Sequence, residues 1–418
     1  MNIKLYHAFT KEPGFFVHSI NSIYGGLPCY NGTRQKMKSY QLESAASEEI
    51  NSLDKFCLVI PVRQGIIGAL SSILSQAVVK AIDEKRCFLA FDISNEGGTI
   101  LLRDELSESL SAFGIKNLEG CWLLCSNRLI PSIEAGKIST AYYDSFILTG
   151  IHAANKLKTD ETRLALASSY LNNDKPYSVL CLNATPRMHR IRAVLELIDQ
   201  GLVSLEGMDQ GGERVIPYVS FGRLDYVKGS ITPGQVRNAL QYKGQPHLKA
   251  ILEQFLQALP LKADSFIENG NSLASKIDIR HYTQTKISII TETSMGSECM
   301  RITEKTAKPL SLGHPFVIVG PMNSVRMARS MGFSVFDDFI DHSYDTINDP
   351  RDRLKRSIQS ASCFVRQMQE NKINLKELVC HVRHNIYFAA AGFYDFYWDQ
   401  HVQPILISLG ISEDLQVP

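Results

Sequence analysis

Residues 301–320, "RITEKTAKPLSLGHPFVIVG", set Arg301, Glu304 and Lys305 within five positions and then run apolar into what reads as a buried strand. Thr303 is a good N-cap, so a helix begins at Glu304 and stops at Gly313, with Pro315 just beyond. Upstream, "KISIITET" reads as a strand ending at Thr293. Glu304 and Lys305 therefore occupy a first helical turn at the carboxyl edge of a sheet. Such a turn favours an anion through its N–H groups and the macrodipole, and Lys305 supplies the charge a diphosphate needs. Glu304 would repel that anion unless reserved for another group, and a carboxylate suits two adjacent ribose hydroxyls, which donate to it together. Together these residues describe a nucleotide-sugar site. A capping glutamate beside a solvated lysine is the plainer reading of the same side chains.

The second group is "LCLNATPRMHRIR", 180–192. Asn183 closes a strand, Pro186 begins the turn, and Arg187, His189, Arg190 and Arg192 crowd the start of the next helix. Cations there oppose the helix dipole unless an anion sits among them. Arg190 is the best placed to face a pyrophosphate, because a planar fork grips phosphate oxygens in pairs. Arg187 and Arg192 also read as surface charge, and His189 as a packed, hydrogen-bonded residue rather than a catalyst.

The elements that carry these groups alternate. "DKFCLVIPVRQG", "CFLAFDIS" and "GCWLLCSN" read as strands, with helices over "ALSSILSQAVVKAIDEKR" and "LRDELSESLSAFGI" between them. Near-continuous apolar strands separated by helices are the mark of a parallel sheet covered on both faces. The pattern loosens between about 153 and 177, where the domain junction is placed, and then resumes. Strands follow at "YSVLCLN", "KISIITET", "PFVIVG" and "FSVF". Helices follow at "RMHRIRAVLELIDQG", "HLKAILEQFLQAL", "NSVRMARSMG", "RDRLKRSIQSASCFVRQMQEN" and "LKELVCHVRHNIYFAAAGFYDFYWD". The expected architecture is α/β, two doubly wound Rossmann-like domains facing a cleft. They span 1–165 and 176–380, with a C-terminal helical tail over 381–418 that packs back on the first. Folds of this kind bind ligands at the carboxyl ends of their strands.

Composition narrows the class. A chain of 418 residues exceeds one compact core. A net charge of +1 gives no global attraction to nucleic acid or to an anionic membrane. The nine cysteines lie scattered in apolar runs, and Cys121 and Cys125 face no second pair, which points to free thiols in a reducing cytosol rather than zinc. The N-terminus lacks the pattern of a signal peptide and no apolar run reaches membrane-spanning length, so a cytoplasmic location is expected.

"NATPRMHR" followed far downstream by "RITEKTAKPLSLGHPFVIVG" resembles the donor domain of two-domain (GT-B) glycosyltransferases of the fucosyltransferase-like kind. "GFSVFDDFIDHSYDTINDPRDRL" is similar to a stretch of bacterial and phage glycosyltransferase-like proteins. The resemblance covers about 180–360. It implies that Glu304 binds the donor ribose and that Lys305 and Arg190 hold the diphosphate, with Asn183, Arg187, Arg301 and Thr303 around them. It also implies that neither a cofactor nor a metal is needed; "FDDF", 336–339, reads as a solvated turn. His342 stands where an acidic residue is usual.

Such a transferase needs a base for the acceptor hydroxyl, expected from the first domain. In "FLAFDISNEGGT" Glu96, beside Gly97 and Gly98, is the candidate base and Asp92 a brace for the loop. Two carboxylates shaping a polar loop is the alternative. "SNR", 126–128, is a candidate acceptor contact and "GGLPCYNGTR", 25–34, a candidate lid. The aromatic tail reads as core, and a peripheral membrane contact near a lipid-linked acceptor is secondary. The partners implied are a nucleotide-sugar donor and a glycan or glycolipid acceptor. Two rivals stand beside this reading. One is a non-catalytic nucleotide- or glycan-binding protein; the other is a transferase using a phosphoribosyl diphosphate.

Overall fold

The computed structural model describes residues 4–7, 42–43, 56–62, 67, 70, 74–94, 98–157, 159–173, 175–205, 208–210, 213–215, 218–221, 224, 231–240, 246–261 and 277–408. The candidate base Glu96 and the candidate lid 25–34 lie outside them. The chain divides into two compact units. One is Met1–Thr149 with Glu298–Arg301 and Ala391–Pro418; the other is Gly150–Ser297 with Ile302–Ala390. This division is discontinuous along the chain.

The α/β expectation holds in both units. In the first, β1 (Lys4–His7), β2 (Leu42–Glu43), β3 (Phe56–Pro61), β4 (Cys87–Ile93), β5 (Cys121–Cys125) and β6 (Ser139–Tyr142) form one sheet. Its order is β2-β1-β3-β4-β5-β6, and every pairing is parallel. Helices α1 (Gln76–Asp83) and α2 (Ile100–Ala112) start at Ser75 and Thr99, whose hydroxyls accept the N–H of Val78 and Leu102. Phe56, Leu58, Ile60, Leu89, Phe91 and Leu123 of the strands pack with Val78, Ile82, Leu106 and Leu110 of these helices. Each such side chain contributes about 1.5–3 kcal/mol by leaving water.

Two helices follow, α3 (Ser145–Lys156) and α4 (Asp160–Leu171, capped by Thr159). Residues 153–177, expected to be a loose junction, are therefore largely helical. Only Leu166, Ala167 and Tyr170 of α4 are buried, too sparse an apolar stripe to stand out in the sequence.

The second unit runs β7 (Tyr177–Asn183), α5 (Met188–Asp199), an antiparallel pair β8 (Met208–Gln210) and β9 (Glu213–Val215), then β10 (Val219–Phe221). Next come α6 (Pro233–Leu240), α7 (Pro246–Ala258), α8 (Ile279–Gln284), β11 (Thr285–Thr291), α9 (Glu304–Ser311), β12 (Phe316–Val319), α10 (Ser324–Ser330), α11 (Pro350–Gln369) and α12 (Leu375–Tyr387). The four-stranded sheet is parallel, in the order β10-β7-β11-β12. From β7 the chain passes through α5 towards the β10 edge; from β11 it passes through α9 towards the β12 edge. The winding direction therefore reverses between β7 and β11. That is the point where an open α/β sheet leaves a crevice at its strand ends.

"FSVF", 333–336, is not a strand. Ser334 gives its N–H to Asn385 and takes the Asn385 amide on its carbonyl, and Phe336 sits at φ 65°, outside the extended region. The apolar alternation there serves a loop packed on α12. The tail continues with π-helical turns at Phe388–Gly392 and Trp398–Val402 around α13 (Phe393–Tyr397), then α14 (Gln403–Ser408). Tyr397 and Trp398 are buried, and the Tyr397 hydroxyl donates to the Asp144 carboxylate at 3.1 Å, so the aromatic tail is core.

Candidate functional site

The reversal point gathers two helix starts. Thr303 caps α9 as the sequence indicates, its hydroxyl accepting the Lys305 N–H at 3.4 Å. Glu304 and Lys305 open the helix and form an ion pair at 2.8 Å. The Glu304 side chain is 12% exposed and that of Lys305 31%. Burial acts to raise the Glu304 carboxyl, but Lys305, its own main-chain N–H and Lys308 outweigh it, so it sits below the usual carboxylate range. Lys308 lies one turn on; burial lowers its ammonium to about 8, although Glu304 opposes the shift.

On the other side, α5 begins after Asn183 with Arg187 exposed at its N-cap. Arg190 is buried rather than presented. It donates from Nη1 to Thr185 O at 2.9 Å and from Nη2 to Glu292 O at 3.4 Å. Burial, then repulsion from Arg187, lowers it to about 10. Its Nε–H finds no acceptor among the described residues. His189 donates from Nε2 to Glu292 O at 2.9 Å and is lowered to about 4 by burial, so it is a neutral brace at pH 7. Asn183 is turned into the sheet, its amide on Cys181 Sγ and its oxygen accepting the Thr291 hydroxyl. Arg301 belongs to the Glu298–Arg301 segment of the first unit.

Sequence reasoning missed Glu292, the residue after β11. Its side chain is buried and accepts Thr303 N–H at 2.9 Å, the Thr303 hydroxyl at 2.8 Å, the Thr306 hydroxyl at 2.6 Å and Thr293 N–H at 3.3 Å. The first turn of α9 consequently spends its N–H groups within the protein. Thr303 N–H goes to Glu292, that of Glu304 to its own carboxylate, that of Lys305 to the Thr303 hydroxyl, and that of Thr306 to Thr303 O. The expectation that open N–H groups would cradle an anion is corrected accordingly. The only sequence signal for Glu292 was an acidic residue at the end of an apolar strand.

Arg353 was also missed. Although buried, it spends its guanidinium on carbonyls. Nε reaches Gly320 O at 3.0 Å, Nη2 reaches Met295 O at 2.8 Å, and Nη1 reaches Ile347 O at 2.5 Å and Asn348 O at 3.1 Å. It ties the loop after β11 to the loop after β12. In the motif around 344, Asp345 caps α10 by accepting Val325 N–H at 3.0 Å and Arg326 N–H at 2.9 Å. His342 is buried and lowered by that burial; it donates from Nε2 to Val335 O at 2.7 Å, a packing role. Asp337 and Asp338 are exposed, as the solvated-turn reading has it.

Within the first unit, Asp92 is buried near the end of β4 and accepts Ser94 N–H at 3.0 Å. The candidate acceptor contacts are corrected. Asn127 is buried and holds Gly98 O, Glu298 O, Leu129 N–H and Met300 N–H. Arg128 pairs with Asp144 and stacks on Tyr142, 4.7 Å from the ring centre. The Asn127 side chain and the Arg128 main-chain N–H, which donates to Met300 O at 2.9 Å, hold the segment Glu298–Arg301.

Ser334, His381 and Asp338 form a further string, with Ser334 Oγ 2.6 Å from His381 Nδ1 and His381 Nε2 3.2 Å from Asp338. It resembles a nucleophile with its base and orienter. The Ser334 N–H is held by Asn385, however, and Phe336 N–H rests on Ser334 Oγ at 3.4 Å, so neither is open to an oxyanion.

Among the described residues no group of three or more His, Cys, Asp or Glu could hold a metal ion, and no helix is long and apolar enough to cross a membrane. No protein-family model matches the chain, and no curated protein matches it. Among solved structures it is similar to the alpha,alpha-trehalose 6-phosphate synthase of Burkholderia multivorans. The identity is 11% and the TM-score 0.39, over 97% of this chain and 83% of that one. That degree of likeness carries no argument about activity.

Proposed function

We propose that the chain is a GT-B glycosyltransferase that moves a sugar from a nucleotide-activated donor to a hydroxyl of a glycan or glycolipid, in the cytoplasm. The observation that carries this reading is the place of Glu304 and Lys305. They open α9 at the reversal point of a parallel sheet, opposite the basic start of α5. The sequence resemblance over 180–360, carried in part by the same residues, agrees with it. Glu304 accepts the two ribose hydroxyls, and Lys305 with exposed Arg187 neutralises the diphosphate. Arg190 acts from beneath, holding the Thr185 and Glu292 carbonyls.

In the reaction the acceptor oxygen bonds to the anomeric carbon as the bond from that carbon to the diphosphate oxygen breaks. The acceptor proton passes to a carboxylate base, and the nucleoside diphosphate leaves as an anion stabilised by fixed cations. Glu96 is the proposed base, and Asp92, four residues before it in the sequence, accepts the Ser94 N–H.

The test is a thermal-shift screen against UDP, GDP, CDP, CMP, ADP and phosphoribosyl diphosphate, run beside Glu304→Ala, followed by a hydrolysis assay with the matching nucleotide-sugars. One nucleotide shifting only the wild type, and its sugar turned over, supports the transferase. A shift without turnover favours the binding protein, and a response to phosphoribosyl diphosphate alone moves the donor class. No shift with any ligand sinks the proposal.

A further inference from the structure

We propose that Glu292 is the positioning residue of the nucleotide site, acting on Lys305 through the Thr303 hydroxyl; this rests on the nucleotide reading above. Glu292 is fastened on every side. Its main-chain N–H donates to Val319 O at the end of β12 at 2.9 Å, and its carbonyl takes His189 and Arg190 from the start of α5. Its carboxylate clasps Thr303 and Thr306 of α9. One residue thus joins the end of β12 to both helix starts. The approach to β12 is close: a Cβ on Gly320 would stand 3.2 Å from Glu292 Cβ.

The chemistry requires a carboxylate. Thr293 N–H and the Thr303 hydroxyl both donate to Oε2, and Thr303 N–H and the Thr306 hydroxyl both donate to Oε1. An ionised carboxylate accepts all four, whereas an amide places N–H donors against one of these pairs. The direction of the Thr303 hydroxyl follows. With its hydrogen spent on Glu292, its lone pairs remain for the Lys305 N–H and for Lys305 Nζ, each at 3.4 Å. An amide whose nitrogen takes the Oε2 place would donate to the Thr303 oxygen and release its hydrogen towards the Lys305 ammonium. The cation proposed for the diphosphate would then keep Glu304 but lose its second contact, on Thr303, although no group that touches the ligand has changed.

The experiment is a double-mutant cycle read by calorimetric titration with UDP and with GDP, using wild type, Glu292→Gln, Lys305→Ala and the pair. Each single change is expected to weaken binding by on the order of tenfold, the scale of one charge-assisted hydrogen bond. The pair is expected to bind no more weakly than Lys305→Ala alone, because both changes remove the same contact. A merely structural Glu292 gives additive losses, and additivity, or an unchanged Glu292→Gln affinity, overturns the proposal. Where Glu292→Gln does not fold, Thr303→Val carries the same cycle, since it removes the intermediary hydroxyl. A wild type that binds neither UDP nor GDP refutes the nucleotide reading itself, and is told apart from failure of the inference by that first titration.

Discussion

The carboxylate of Glu304 and the ammonium of Lys305 lie 2.8 Å apart, so each is the other's partner at the mouth of the crevice. A ligand that gives ribose hydroxyls to one and a diphosphate to the other must part them. Glu304→Ala should abolish the nucleotide-induced rise in melting temperature, which for a ligand at about 100 times its Kd corresponds to roughly 2.7 kcal/mol. Lys305→Ala should instead leave a weaker interaction that depends less steeply on salt, because a cation facing the anion has gone. Titrations at low and high ionic strength check the difference. Equal salt dependence in both proteins would remove Lys305 from the diphosphate contact.

Gly150 of α3 lies against the start of α9. A Cβ there would come within 2.7 Å of Ala307 Cβ and 3.0 Å of Glu304 Cα. Gly150→Ala should cost about 1–3 kcal/mol as an overpacking change and weaken nucleotide binding by shifting Glu304. Adding Ala307→Gly removes the nearest clash and should recover part of both. Denaturant unfolding and titration of the single and double variants test this; no recovery would show that the loss arises elsewhere.

The Glu96 assignment is tested by kinetics. Glu96→Gln should lower kcat by roughly 100- to 10,000-fold, the usual contribution of a general base, with little change in donor KM. Asp92→Asn should act more on stability, through the Ser94 N–H that the Asp92 carboxylate holds at 3.0 Å. A Glu96→Gln enzyme of normal kcat moves the base to another residue.

Acid should unfold the protein through its buried histidines. Burial is the main cause in each case, lowering His189 to about 4 and His314 and His401 to about 3. Below the ordinary histidine value near 6.5 the unfolded chain takes up these protons and the folded chain does not, so their stability contribution is intact above about pH 6.5 and drains as pH falls towards 3–4. Melting temperature against pH should fall across that window. For His314 the cause is complete burial, with Lys175 adding to it; the Nε2 bond to Thr285 O at 2.9 Å opposes the shift without reversing it. A flat profile would contradict the neutral, buried state.

Arg353→Ala should cost about 3 kcal/mol, since it strips buried carbonyls of a shared donor. Arg353→Lys should recover little, because one ammonium cannot span Gly320 O and the Met295, Ile347 and Asn348 carbonyls that the fork holds together. Urea unfolding of both variants decides. Full recovery by lysine would mean that charge rather than the fork is what matters.

What the sequence disclosed was what neighbours along the chain determine. The strand "YSVLCLN", the Thr303 cap with its helix, and the Gly201 stop of α5, at φ 68°, follow from local pattern and appear as read. What it concealed depends on residues far apart. Arg190 reads as a phosphate fork but is turned onto the Thr185 and Glu292 carbonyls, and nothing near position 190 announces a carbonyl contributed from position 292. Asn127 reads as a loop-end acceptor contact until Glu298 and Met300 arrive on it. "FSVF" alternates like a strand, yet Asn385 takes its backbone groups and closes it to a sheet partner.

The reversal of strand order between β7 and β11 also bears on how such a protein diversifies. The two halves of the proposed grip belong to separate stretches of chain that leave the crevice by opposite edges. Insertions between α5 and β10 lengthen one margin and leave the register of β11, α9 and β12 untouched. Under the proposed function, new donor preferences are sampled on one bank while the Glu304–Lys305 bank is inherited intact.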